Sequence, residues 1–196
     1  MSEVKKVLTI AGSDPSGGAG IQADIKTITV HGMYAMSVIT SLTAQNTTGV
    51  FGVQDTPPEF VKKQLDCVLS DIRPDAVKIG MVSSAAIVRA IASKLKEYSV
   101  KRIVLDPVMV STSGSRLLAA DAVEALRTEL FPLADLLTPN LPEAQCLCGR
   151  EIKTAGEMEA AANEIAGRCG RRAHQGRSSY GYGGRPSLSQ RRVYLV

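Results

Sequence analysis

The sequence predicts an α/β fold, a mostly parallel, doubly wound sheet with helices on both faces. Two observations carry this. Short apolar runs rich in β-branched residues alternate with segments whose apolar residues recur every three or four positions. The polar or conformationally special residues then fall where those runs end, at Gly12, Gln45, Met81, Asp106 and Asn140. That is the edge at which such sheets bind ligands. At 196 residues and 44% hydrophobic, the chain can bury one core of this kind.

The first strand is Val7 to Ala11, and a loop with four glycines follows, Gly12, Gly17, Gly18 and Gly20. Ile21, Ile25 and Ile28 then set a helical face. Such loops let a ligand touch the main chain and commonly border small-molecule or phosphate sites. The loop lacks the Gly-Lys-Ser/Thr ending of a P-loop, and Ala23 stands where a dinucleotide motif needs its third glycine. Ser37 to Ala44 is the second strand, leading into polar Gln45 to Gly49. Thr56-Pro57-Pro58-Glu59 has the form of a capping box, with Val61, Leu65, Val68, Leu69 and Ile72 on one face of its helix.

Ala76 to Gly80 is the third strand, and from Ser84 a helix turns Ile87, Val88, Ile91 and Leu95 inward. Arg102 to Leu105, the fourth strand, stops at Asp106-Pro107, because proline cannot donate to a ladder and restricts the residue before it. Ser111 to Arg116 is a Ser/Gly-rich loop. Val123, Leu126 and Leu130 mark the next helix and Asp135 to Thr138 the fifth strand. Pro139 to Glu143 opens a short helix, and Thr154 to Glu157 caps another that carries Met158, Ala161, Ala162 and Ile165.

Asp106, an acid at a strand end, is placed to hold Mg²⁺ or a water near phosphates; capping the following turn is the structural alternative. Asn140 and Glu143 have the spacing of a capping pair, and the same geometry aims a carboxylate at the ligand edge. Asp24 lies in the first helical turn, where a carboxylate stabilises the helix by about 0.3–1 kcal/mol, or it reads a ring amine. Gln45 has a donor and an acceptor for a pyrimidine edge, whereas Met81 rests on position alone.

Ala11 to Asp24, together with Ala44-Gln45-Asn46-Thr47, Lys78-Ile79-Gly80-Met81, Leu105 to Met109 and Thr138 to Ala144, resembles the hydroxymethylpyrimidine/phosphomethylpyrimidine kinases of thiamine biosynthesis, members of the ribokinase-like superfamily. The resemblance runs from about Val4 to Arg171. It implies transfer of the ATP γ-phosphoryl group to the pyrimidine's hydroxymethyl oxygen and then to the monophosphate. Gly12, Asp24, Gln45, Met81 and Val108 would contact the pyrimidine. Asp106, Asn140 and Glu143 would serve nucleotide phosphates, and Asp106 and Glu143 the Mg²⁺. It also implies a homodimer of the full-length protein and leaves pyridoxal as an alternative substrate.

The family continues with Lys-Gly-Gly and a later Gly-Thr-Gly-Cys turn that forms the anion hole; neither occurs in these 196 residues, so no catalytic residue is assigned. The division expected is an incomplete kinase domain over 1–170 and a disordered basic tail over 171–196. Ala173 to Ser178 admits codons that, read one base later, give Leu-Ile-Lys-Gly-Gly. A one-base frameshift near Arg171 or Arg172, an early stop and weak or no kinase activity are the expectation.

Charge divides in the same way. The tail holds six arginines and no acid, which leaves 17 of the 23 basic residues against all 19 acids in residues 1–170. Basicity therefore belongs to the tail, and nucleic acid is disfavoured as a partner of the folded part. The tail's Arg, Gly and Tyr residues resemble RNA-binding segments, an alternative beside that of a non-catalytic pyrimidine binder. Cys67, Cys146, Cys148 and Cys169 have no metal-site spacing, and His31 and His174 lie far from them. Without an export signal or a membrane-length apolar run, a cytosolic protein is expected.

Overall fold

In the computed structural model of the chain, residues 3–109, 120–168 and 192–193 are described. Their strands form one sheet from β1 (Lys6–Ser13), β2 (Tyr34–Asn46), β3 (Gly49–Asp55), β4 (Ala76–Ile79), β5 (Ile103–Leu105), β6 (Leu136–Leu137) and β7 (Arg192–Val193). The strand order is β3-β2-β1-β4-β5-β6-β7. Every neighbouring pair is parallel except the antiparallel β2 and β3. The helices are α1 (Gly20–Val30), α2 (Pro58–Asp71), α3 (Ala85–Glu97), α4 (Ala120–Ala125), α5 (Leu141–Cys148) and α6 (Ala155–Arg168). A π-helical turn over Leu126–Leu130 and a 3₁₀ turn over Phe131–Leu133 prolong α4.

Alternation along the strands assigns the faces. Leu8 and Ile10 of β1 join Met36 and Val38 of β2, Val77 and Ile79 of β4, and Ile103 and Leu105 of β5 in a core closed by Val61 and Leu65 of α2 and Ile87, Val88 and Ile91 of α3. Thr9 and Lys78 are partners across β1 and β4 and point to the opposite face, where α1 brings Asp24 against both. Helices therefore cover both faces, as the sequence predicts. Thr9 is fully buried, so a hydroxyl there requires a partner, and Asp24 supplies one.

Three elements differ from the sequence reading. The polar stretch after Gln45 turns back at Thr47 and Thr48 into β3, a hairpin strand that the sequence reading did not contain. Thr56 does not cap α2; its amide extends the sheet by donating to the Thr40 carbonyl, and Pro57 takes the N-cap position without a side-chain bond. Arg192 and Val193, in the tail expected to be disordered, pair as a short strand with Leu136 and Leu137 of β6. The expected loop over 111–116 and the rest of the tail lie outside the described residues. The caps at Asn140 and Thr154 form as predicted, and Ser84 also caps its helix, its hydroxyl accepting from the Ile87 amide.

β2 follows β1 on one side and β4 returns on the other, so the chain reverses its winding direction between β1 and β4. The crevice at the carboxyl ends of these two strands is the topological switch point. Gly12 and Met81 are there.

Candidate active site at the strand ends

Gly12 and Met81 meet across that crevice. A Cβ on Gly12 would lie 3.2 Å from Met81 Sδ and 3.6 Å from the Ser41 carbonyl, so glycine permits the approach. Thr40 Oγ1 donates to the Met81 carbonyl at 2.7 Å and fixes the loop after β4. The β1–β2 register shifts between Ala11 and Ser13, and the β2–β3 register shifts between Ala44 and Gln45. Both irregularities coincide with predicted site residues, and bulges of this kind re-aim side chains next to sites. Gln45 joins the cluster through Thr43, whose hydroxyl lies 3.2 Å from Gln45 Oε1 and 2.9 Å from the Ser13 carbonyl.

The glycine loop is organised by Asp14, which is 3% exposed. Its carboxylate accepts from the Ser16 amide and hydroxyl at 2.8 and 2.7 Å, and from the Gly18 and Ala19 amides at 3.0 and 2.8 Å. Burial pushes this carboxyl upward, but the Ser16 hydroxyl and the Ser16, Ala19 and Gly18 amides together hold it below its ordinary value. Gln22 reaches back from α1, accepting from the Asp14 amide and donating to Ser13 Oγ. Gly20 has φ +57°, and a Cβ there would stand 2.3 Å from the Gly12 carbonyl oxygen.

Asp24 is not an open carboxylate. Its Oδ2 accepts from Thr9 Oγ1 at 2.6 Å and from Lys78 Nζ at 3.0 Å. Lys78 Nζ is also 3.9 Å from Asp106 Oδ2, so one ammonium joins two of the predicted acids. Burial raises the Asp106 carboxyl above its ordinary value; Lys78 opposes the rise and Asp24 adds to it.

Asn140 and Glu143 form the capping box. Asn140 Oδ1 accepts from the Glu143 amide, and Glu143 Oε2 accepts from the Asn140 amide, each at 2.9 Å. Glu143 Oε1 lies 3.4 Å from the Met109 amide, which ties the segment after β5 to α5. At 3% exposure Glu143 is nevertheless a charged group in the core. Burial raises its carboxyl, the Asn140 and Met109 amides act against this, and the nearby charge of Asp106 adds to it. Val108 is half-buried between these groups, its amide donating to the Asp106 carbonyl at 2.9 Å.

Two carboxylates raised by burial, Asp106 with a further push from Asp24 and Glu143 with one from Asp106, suit a hard divalent cation. Among the described residues no group of three or more His, Cys, Asp or Glu could hold a metal, so Mg²⁺ would draw most of its ligands from phosphate and water. Asp106 and Glu143 fit that role as one or two protein carboxylates.

Residues 14–173 match the model of the phosphomethylpyrimidine kinase family. The chain belongs to that family. It is 55% identical over 154 residues to the hydroxymethylpyrimidine/phosphomethylpyrimidine kinase of Salmonella typhimurium, covering 78% of this chain and 58% of the relative. A thiamine biosynthesis bifunctional protein of Geobacter sulfurreducens is 54% identical over 159 residues, covering 81% of this chain and 32% of the relative. The chain thus spans about three fifths of the single-function kinase and a third of the bifunctional protein.

Among solved structures, the phosphomethylpyrimidine kinase of Clostridium difficile 630 superposes with a TM-score of 0.79 at 52% identity, covering 84% of this chain and 71% of that one. An ADP complex of Bacillus subtilis pyridoxal kinase gives 0.75 at 38%, covering 85% and 62%. The ribokinase-like architecture expected from the sequence is the one found. In this phosphomethylpyrimidine kinase family member, sequence reasoning did not single out Asp14, Thr9, Gln22 or Lys78. Lys78 did leave a signal, as the charged residue inside an otherwise apolar strand.

Proposed function

We propose that the strand-end cluster is the pyrimidine and Mg²⁺-nucleotide side of a site for ATP-dependent phosphorylation of hydroxymethylpyrimidine and its monophosphate, acting in the cytosol in thiamine diphosphate biosynthesis. The observation that carries this reading is the Gly12–Met81 crevice at the switch point, within a chain that is 55% identical to a Salmonella hydroxymethylpyrimidine/phosphomethylpyrimidine kinase. Gly12 and Met81 form the floor and wall for a flat ring, with Val108 beside it and Gln45 offering a two-point amide contact. Asp24 enters through Lys78 rather than by direct contact with the ring. Asp106, Asn140 and Glu143 serve the nucleotide phosphates, and Mg²⁺ would neutralise charge developing on them.

These 196 residues hold no Gly-Thr-Gly-Cys segment. Loss of an anion-hole donor costs on the order of 10²–10³ in rate and loss of a general base about 10²–10⁴. For a polypeptide of these 196 residues alone, binding with little turnover is the proposal. The family match ends at residue 173, which supports reading the tail as foreign to the domain; resequencing the gene across the codons for Cys169 to Gly176 tests the frameshift. The exposed apolar residues Phe51 and Val53 of β3 and Leu42 of β2 favour pairing with a second copy, in keeping with the homodimer expected for the full-length family.

The test is calorimetry of the purified chain with hydroxymethylpyrimidine, alone and with ATP and Mg²⁺, beside an assay for ADP release. Pyrimidine binding with ADP release no faster than in a mock preparation is the expected result. No pyrimidine binding overturns the substrate reading, tighter binding of pyridoxal replaces the substrate, and turnover at ordinary kinase rates overturns the loss of catalysis.

A further inference from the structure

We propose that Asp14 is a positioning residue, an internal anion that fills the amide nest of the glycine loop and thereby holds Gly12 as the rigid floor of the site. The proposal rests on reading the strand ends as the pyrimidine site, but the state of the nest can be measured separately.

A loop with four glycines leading into a helix invites a phosphate. Here three amides of the loop are already engaged. Those of Ser16, Gly18 and Ala19 point at the Asp14 carboxylate within 3.0 Å, and the Ser16 hydroxyl makes a fourth bond. Ala19 is the N-cap of α1 and has no side-chain cap bond, and the first turn of the helix contains no acid: Asp24, expected there from the sequence, lies beyond it because the helix begins at Gly20. Asp14 thus supplies from five residues upstream the negative charge that this helix terminus favours.

The consequence reaches Gly12 by two routes. Gln22 clamps the Asp14 amide and the Ser13 hydroxyl to α1, while Gly20 sits on the Gly12 carbonyl so closely that no side chain fits. Loop, helix and strand end are thereby closed into one ring around the carboxylate. Because the nest holds its own anion, it is not open to a ligand phosphate. Asp14 accordingly fixes the floor of the crevice.

The experiment compares the wild-type chain with Asp14→Ala, titrating hydroxymethylpyrimidine and recording thermal midpoints in sodium chloride and in sodium formate of equal ionic strength. Formate has the size and charge of the missing carboxylate. Expected are at least a tenfold loss of pyrimidine affinity in Asp14→Ala, recovery of most of it in formate, and no formate effect on the wild type. Unchanged affinity, or recovery by chloride as complete as by formate, overturns the proposal, as does a formate-raised midpoint without restored affinity, because the carboxylate would then serve stability alone.

Should Asp14→Ala fail to fold, Asp14→Asn answers the same question, since it keeps the shape but sets an amide donor against donating N–H groups. Wild-type affinity in Asp14→Asn overturns the proposal, and a tenfold loss with an intact circular dichroism spectrum supports it. If the wild type itself binds no pyrimidine, the substrate reading fails and the positioning role with it. A formate-dependent rise in the midpoint of Asp14→Ala would still identify the internal anion.

Discussion

The Lys78 ammonium lies 3.0 Å from the Asp24 carboxylate, joining a residue in the middle of the sheet to one on the helix that follows the glycine loop. Both side chains are more than two thirds buried, at 27% and 19% exposure. The contact therefore lies between the surface pairs that contribute little and the interior pairs that are costly to break. Lys78→Met leaves Asp24 and Asp106 facing one another without their shared cation. We expect a loss of about 1–3 kcal/mol in urea unfolding, and the double variant with Asp24→Asn should recover part of it. Strict additivity of the two single variants would show that the pair is not coupled.

Gly20 separates two costs that glycine substitutions usually combine. Gly20→Ala must adopt left-handed backbone at φ +57° and also place a methyl group 2.3 Å from the Gly12 carbonyl. Gly149→Ala meets the same backbone demand at φ +68° with nothing within 4 Å. The conformational cost is about 1–2 kcal/mol at either site. Gly20→Ala should exceed it in unfolding experiments and lose pyrimidine affinity, because Gly12 has to move. Gly149→Ala should show the backbone cost alone and bind normally.

The β2–β3 hairpin exposes more apolar surface than its position in the fold requires. Phe51 is 72% exposed, and Val53 on the same strand and Leu42 on its partner strand are exposed as well. If a second copy covers this edge, Phe51→Ser lowers the dimer fraction in sedimentation velocity and leaves pyrimidine affinity unchanged. An identical sedimentation profile removes the hairpin from the interface.

That hairpin also shows where the sequence stops being informative. The central strands were legible because burial on both faces makes them continuous apolar runs, and Asn140 and Thr154 announced their helices through capping chemistry. β3 reads as Gly-Val-Phe-Gly-Val-Gln-Asp, in which glycine breaks the alternation and the apolar side chains face water, so periodicity has nothing to detect. Thr56 carried a capping signature, yet its amide is used by the sheet, a long-range demand that overrides the local one. The candidate positions Gly12, Gln45, Met81, Asp106 and Asn140 followed from strand ends. Their partners did not, because Thr9, Lys78 and Asp24 come together only through the β1–β4 register and the placement of α1.

Asp106 carries a stability cost that its function would explain. Burial raises its carboxyl above the ordinary 3.8, so the folded chain binds this proton more tightly than the unfolded chain. The sign is opposite to that of Asp14, whose lowered carboxyl stabilises the fold above its ordinary value and loses that contribution as pH falls. For Asp106 the penalty is fully present above the raised folded value, where the group is ionised in both states. It shrinks as pH falls through that value toward 3.8. Asp106→Asn should therefore raise the thermal midpoint near about pH 8, and the difference from wild type should close on acidification. The same variant should weaken the Mg²⁺ dependence of ATP binding, since the removed charge is the one Asp106 would offer the cation. A midpoint below that of the wild type at every pH would show that the carboxylate is structurally satisfied and holds no charge in reserve for a ligand.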